Sequence, residues 1–210
     1  MLALLHTSPV HVPVFETLRD EDHPGLALRH LVHEELLARA REEGPAAVAS
    51  AVAAVLAGAV AEGATVVLCT CSTIGGVAEA CAAELGVPVL RVDRPMAAAA
   101  AGKRRVVVAA TVHSTLEPTA ALIREEAAGR HVDLRTLLVD GAWERFEAGD
   151  RDGFLNAVAA AVDAVREADV IVLAQASMAD AADRTRTAVP VLTSPRQGLR
   201  AAAEVASSGS

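Results

Sequence analysis

The sequence predicts an α/β protein of two similar halves, each built on a four-stranded parallel sheet. Three observations lead there. Short Val- and Leu-rich runs alternate with helix-like segments along all 210 residues. Blocks of the first half recur in the same order in the second. The chain is 52% hydrophobic but only 2% aromatic, with no Tyr, so its core must be aliphatic. Strands covered on both faces read as continuous apolar runs, and the helices between them are the crossovers a parallel sheet requires.

Taken in order, residues 2–5 form the first apolar strand and 12–20 a helix. Strand 28–32 is followed by helices 34–41 and 46–61, strand 65–68 by helix 75–85, and strand 87–92 closes the first half. The Ala-rich stretch 96–103 reads as the linker between halves. The second half runs strand 105–109, helix 117–127, strand 134–139, helices 142–147 and 153–167, strand 170–173, helix 179–186 and strand 189–192. Ser194-Pro195 reads as a return crossing that carries the last helix, 197–206, back to the first half. The expected lobes are therefore 1–95 with 195–210, and 96–194.

The repeat is visible residue by residue. Residues 65–72 (TVVLCTCS) align with 170–177 (VIVLAQAS) at an offset of 105 (171 − 66), and 13–21 (PVFETLRDE) with 118–126 (PTAALIREE) at the same offset. Thr7 aligns with Thr111, Leu28-Arg29 with Leu134-Arg135, and Val87-Pro88-Val89-Leu90 with Val189-Pro190-Val191-Leu192. Several matches in one order imply a duplicated α/β unit, giving two pseudo-symmetric, flavodoxin-like lobes. Ligand loops lie beyond the carboxyl ends of parallel strands, so two such lobes are expected to share an active-site cleft.

Net charge is −8, with no Lys/Arg run of length, which argues against a nucleic-acid surface. The N-terminus lacks the basic flank of a signal peptide. The Ala-rich segment 46–61 is too short and too weakly apolar for a membrane span. Cys69, Cys71 and Cys81 are clustered and odd in number, which fits a reducing, cytoplasmic setting in which a thiol serves chemistry or packing. The sequence leaves homo-oligomerisation open.

Cys71 stands where a buried strand ends and a helix begins. Free backbone N–H groups and the helix dipole favour a thiolate there, so Cys71 is expected to be the most reactive thiol. Ser72 and Thr73 add hydroxyls, and Gly75-Gly76 admit close approach of a ligand; the competing reading is a buried structural Cys. Cys69 and Cys81 read as core. Cys-x-Cys without a partner pair at ligand spacing does not make a metal site. No Gly-x-Gly-x-x-Gly follows the first strand, which disfavours a dinucleotide enzyme. His113 can serve as a general acid/base or merely as a polar loop residue. Glu144 reads as a solvated helix-start charge, and Trp143 as a pocket wall or packing.

Cys69-Thr70-Cys71-Ser72-Thr73 resembles the first catalytic-cysteine motif of aspartate/glutamate and hydantoin racemases. The run from Val107 to Thr111-Val112-His113-Ser114-Thr115 is similar to the family's strand ending in Thr and further hydroxyl residues, and Leu5-His6-Thr7-Ser8-Pro9 to the opening strand and substrate loop of its hydantoin branch. The resemblance covers nearly the whole chain. It implies cofactor-independent proton transfer at the carbon next to a carboxylate, on a small acid or amino-acid derivative. Two opposed thiols act in that family, while hydroxyls and backbone N–H groups hold the carboxylate. It implies Cys71 as a catalytic residue; His113, in the second-half loop, is the candidate to stand in for a second acid/base. It implies Thr7, Ser8, Ser72, Thr73, Thr111, Ser114, Thr115, Gln175 and Ser177 as substrate-binding residues, with no metal. The chain departs from the pattern at the second thiol: the alignment sets Ala176 opposite Cys71. A single-thiol decarboxylase or lyase on a malonate-like acid, and a non-catalytic binding protein, are the alternatives.

Overall fold

The computed structural model describes residues 1–208; Gly209 and Ser210, the end of the segment expected to return to the first lobe, lie outside the described residues. Two four-stranded sheets are present. One has the order β2-β1-β3-β4, from β1 (Leu2–His6), β2 (Leu28–Val32), β3 (Val66–Cys69) and β4 (Val89–Arg91). The other repeats that order as β6-β5-β7-β8, from β5 (Arg105–Ala110), β6 (Asp133–Leu138), β7 (Val170–Leu173) and β8 (Val191–Leu192). All neighbours are parallel, as the alternation of strand and helix predicts.

The first compact unit comprises Met1–Arg94 and the C-terminal helix; the second is Pro95–Ser194. In the first, Leu2, Leu4, Val66 and Leu68 face a core completed by α1 (His11–Asp22) and α10 (Pro195–Ser208). Ala3, Leu5, Val67 and Cys69 face the opposite core, under α2 (Glu34–Glu43), α3 (Ala49–Ala61) and α4 (Ser72–Ala80). This strict alternation is the two-residue period of strands buried on both sides. A short α5 (Ala82–Leu85) precedes β4.

In the second unit α6 (Arg94–Ala101) and α7 (His113–Ala127) cover one face, α8 (Ala142–Glu147) and α9 (Arg151–Asp163) the other. Ala176–Arg184 is a 3-10 helix, where the sequence suggested an α-helix. The Ala-rich stretch read as a linker is helical: Met96, Ala97, Ala100 and Ala101 of α6 are buried in the second unit's core. Ala has the highest helix propensity, and five consecutive Ala after Met96 form a smooth apolar face.

The ladder registers correct the repeat alignment. Thr70 N–H donates to Leu5 O, and Ala174 N–H to Ala109 O, both at 2.9 Å. These pairs are 104 residues apart (109 − 5 and 174 − 70), so β3 and β7 correspond at 104, one less than the sequence alignment gave. A run of near-identical Val residues in both strands had disguised the slip.

Candidate functional site

Beyond the core, the alternation continues into the strand ends of the first unit. Thr7 and Cys71 extend the α4 side; His6 and Thr70 extend the α1 side. Cys71 is the N-cap of α4, in extended conformation (φ −110°, ψ 115°), and is 8% exposed. Ser72, Thr73 and Ile74, buried, form the first turn of α4. The Thr7 side chain and the backbone N–H groups of Ile74 and Thr73 lie against the sulfur and favour its thiolate form, although neither amide makes a full capping hydrogen bond. Burial outweighs them and, with Asp93 adding to it, pushes the Cys71 thiol up. The lowering expected from a helix terminus alone is therefore reversed by desolvation, and the resting group is a neutral thiol.

The other thiols differ in their partners. Cys69, fully buried, points its thiol at Cys71 O (3.6 Å), and burial raises it strongly. Cys81 donates to Val77 O at 3.3 Å. Both are occupied by backbone carbonyls, whereas the Cys71 sulfur faces donors.

A buried ion pair supports this turn. Arg91, at the end of β4, donates from Nε and Nη2 to the two carboxylate oxygens of Asp93, each at 2.9 Å. Arg91 is 6% exposed and Asp93 fully buried. A Cβ on Gly75 would stand 2.9 Å from Arg91 Nε, so that glycine is needed for α4 to lie over the guanidinium.

In the second unit the repeat-equivalent of Cys71, at 104 residues, is Gln175 rather than Ala176. Gln175 likewise caps the helical segment that follows its strand, in extended conformation (φ −120°, ψ 139°). Its partner is Thr111, the repeat-equivalent of Thr7: Thr111 N–H and hydroxyl both donate to Gln175 Oε1, at 2.6 and 3.0 Å. A Thr–Cys pair in one unit is thus a Thr–Gln pair in the other. Thr115 is buried, Ser114 and Ser177 are half-buried, and His113 is exposed at the start of α7. The Ser114 hydroxyl oxygen is buried without a hydrogen-bond partner. Ser8, half-buried, accepts the His11 N–H through its carbonyl. Trp143 stacks on Phe146 (4.9 Å between ring centres) and donates to Glu147.

The sequence did not single out Arg91 and Asp93, nor the grouping of His6, His11 and His30 with Glu16. The only signal was positional: polar residues at strand ends, on the side where parallel sheets carry ligands. Two open surface hollows, one bordered by Asp163, Arg186 and Val189 and one by Met1, Pro24 and Ala203, lie at the opposite ends of the strands. Neither involves a candidate residue. No helix among the described residues is long and apolar enough to cross a membrane.

The Asp/Glu/Hydantoin racemase family model matches residues 13–202. A sequence comparison with curated proteins finds no match. Among solved structures, glutamate racemase from Francisella tularensis with D-glutamate aligns over 99% of this chain and 81% of its own (TM-score 0.77, 10% identity). Glutamate racemase from Thermus thermophilus aligns over 99% and 80% (TM-score 0.70, 19% identity). A glycine-to-cysteine mutant of arylmalonate decarboxylase aligns over 100% and 94% (TM-score 0.65, 22% identity). At these identities the likeness is one of fold.

Proposed function

The chain belongs to the Asp/Glu/hydantoin racemase family, and from that membership we propose that Cys71 is its working thiol, moving a proton at the carbon next to the carboxylate of a small acid or amino-acid derivative, without cofactor. The observation that carries this is the setting of Cys71: a capping position whose sulfur faces the Thr7 side chain and two helix amides. A neutral thiol there is a proton donor. The thiolate left after transfer is met by donors already in place, so little reorganisation is needed. Thr7, Ser8, Ser72 and Thr73 are the proposed substrate contacts of the first unit, and Thr111, Ser114, Thr115, Gln175 and Ser177 those of the second. Three unpaired cysteines fit a reducing, cytoplasmic setting.

Gln175 decides the kind of reaction. Its amide neither ionises nor takes up a proton near neutral pH, so the position equivalent to Cys71 cannot act as a second acid/base. One-sided proton transfer follows: exchange of one α-hydrogen, or protonation of a carbanion on one face. Release of carbon dioxide from a malonate-like acid is the second reading, favoured by the raised Cys71 thiol, which suits a donor better than a base. His113 is the proposed alternative second base.

The test is incubation with amino acids, hydantoins and substituted malonates in heavy water. Exchange is followed by NMR, stereochemistry by chiral chromatography and carbon dioxide by release assay. Exchange or decarboxylation without enantiomer interconversion is expected, abolished in Cys71→Ser because an alkoxide is inaccessible near neutral pH. His113→Ala should cost no more than about 10–100-fold, below the full range of a general acid/base. Turnover that persists in Cys71→Ser would overturn the thiol assignment. Inertness toward every acid would leave the fold as a binding protein.

A further inference from the structure

A line of hydrogen bonds runs along the α1 side of the first unit, on the sheet face opposite the thiol. Thr70 Oγ1 meets His6 Nδ1 at 2.8 Å, His6 Nε2 meets His30 Nδ1 at 2.8 Å, and His30 Nε2 meets Glu16 Oε1 at 2.8 Å. Thr70 and His6 are buried, while the Glu16 side chain is 36% exposed and also paired with Arg19. His11 on α1 faces His6, their ring centres 6.1 Å apart. No three His, Cys, Asp or Glu side chains among the described residues converge as metal ligands, and the line can be followed proton by proton.

Each link takes one proton. With both imidazoles neutral and Glu16 ionised, a single arrangement fills all three. Thr70 donates its hydroxyl to His6 Nδ1, His6 donates from Nε2 to His30, and His30 donates from Nε2 to Glu16. One added proton changes the pattern. His30, now protonated at both nitrogens, donates to Glu16 and to His6 Nε2. His6 must then carry its proton on Nδ1 and donate to Thr70. The Thr70 hydroxyl turns to Leu5 O, 3.0 Å away, which already accepts the Thr70 N–H at 2.9 Å. No link is lost; the first two reverse.

We infer that Thr70, His6, His30 and Glu16 form a one-proton switch that positions the Cys71 turn. In the protonated form β1 and β3 are tied at Leu5 and Thr70 by two hydrogen bonds instead of one. Those residues stand immediately before His6-Thr7 and Cys71, so the switch sets how firmly Thr7 and the sulfur are held together. His6 and His30 are positioning residues and do not touch the reacting atoms. The neighbours that bear on the charge are His11, Arg19 and, beyond it, Asp20. Burial, with His11 and His30 adding to it, holds His6 down at about 3, which keeps the extra proton on His30. The positioning role rests on Cys71 being the working thiol; the switch itself does not.

The test is nitrogen-15 NMR of the imidazoles of the whole protein along a pH series from neutral into acid. His6 should stay neutral throughout and pass from the Nε2–H to the Nδ1–H tautomer with the same midpoint at which His30 becomes doubly protonated. A His6 that keeps one tautomer while His30 titrates, or that itself becomes an imidazolium, overturns the switch. Positioning is read separately, without substrate, from the pH dependence of Cys71 alkylation by iodoacetamide, resolved by mass spectrometry. The wild type should show an inflection at the His30 midpoint. His30→Gln, whose amide can bridge the same partners without titrating, should lose it while the thermal midpoint stays near wild type. An inflection that survives in His30→Gln refutes positioning, whatever the protein proves to catalyse.

Discussion

His6 and His11 are both neutral in the folded chain, held by burial at about 3 and about 4 against an ordinary 6.5. Their unfolded counterparts take up a proton as pH falls below 6.5, while the folded groups do not. The unfolded state therefore binds more protons, and stability is lost progressively from about pH 6.5 down toward 4 and then 3. Each pH unit between the folded and unfolded values is worth about 1.4 kcal/mol, so the loss approaches about 3 kcal/mol for His11 and about 5 kcal/mol for His6. His11 isolates the effect, because neither ring nitrogen has a hydrogen-bond partner and it is 8% exposed. His11→Phe should raise stability by about 1–3 kcal/mol, the cost of a buried unsatisfied polar group, and make the fall of the urea midpoint between pH 6.5 and 4 less steep, the part due to His6 remaining. A less stable variant would mean that those nitrogens have a use the fold alone does not supply.

At the scale of the element, α4 is fitted to the Arg91–Asp93 pair, and its two glycines answer differently to the same change. A Cβ on Gly75 would meet Arg91 Nε at 2.9 Å and Cγ at 3.2 Å, on a side chain pinned by two hydrogen bonds. Gly75→Ala must displace α4 or break a buried ion pair and should cost about 1–3 kcal/mol. It should also slow any Cys71-dependent turnover, since the Thr73 and Ile74 amides move with the helix. A Cβ on Gly76 has only Arg91 Nη1 nearby, at 3.4 Å, in an exposed position. Gly76→Ala should gain up to about 1 kcal/mol from helix propensity. Thermal melts of the two variants shifting in the same direction would refute this account of the helix.

The elements were legible in the sequence wherever an apolar period repeated. All eight strands follow from Val- and Leu-rich runs, and the place of Cys71 follows from the strand it ends. What was not legible had physical causes. A helix beginning after Cys71 was legible, but its first turn was not: the range read as helical starts at Gly75, because Ser-Thr beside Gly-Gly has loop chemistry, whereas α4 starts at Ser72. Gln175 was displaced to Ala176 because interchangeable Val residues allow a one-residue slip that the ladder forbids. The switch residues were invisible because His6, His30 and Glu16 are brought together only by the pairing of β1 with β2 and the packing of α1.

Across the whole molecule, the repeat extends to a helix the sequence did not suggest. The helix after β4, α6, packs on the second unit's sheet, and the helix after β8, α10, packs on the first. Each sheet is thus completed by a helix that follows the other sheet's last strand. For the first unit this comes from the far end of the chain: Leu199 and Ala202 join Leu2, Leu4, Phe15, Leu68 and Val92 in one core. Gly198 makes the fit, since a Cβ there would stand 2.5 Å from Val92 O and 2.7 Å from its Cα, backbone atoms that cannot swing aside. Arg196 adds ion pairs to Glu21 and Asp22 on α1, exposed and worth little individually. The dependence is therefore apolar and one-sided. Gly198→Ala should lower stability by about 1–3 kcal/mol through overpacking, whereas Arg196→Ala should change it by less than about 1 kcal/mol. A chain ending at Ser194 should lose hydrogen-exchange protection at Leu2, Leu4, Val66 and Leu68, whose face α10 covers. The amides of Val106, Val108, Val170 and Val172 should keep theirs, because α6 and α7 still cover them. Protection lost equally in both sheets would mean that the two cores unfold as one cooperative body; protection kept in the first would mean that α10 is dispensable to its core.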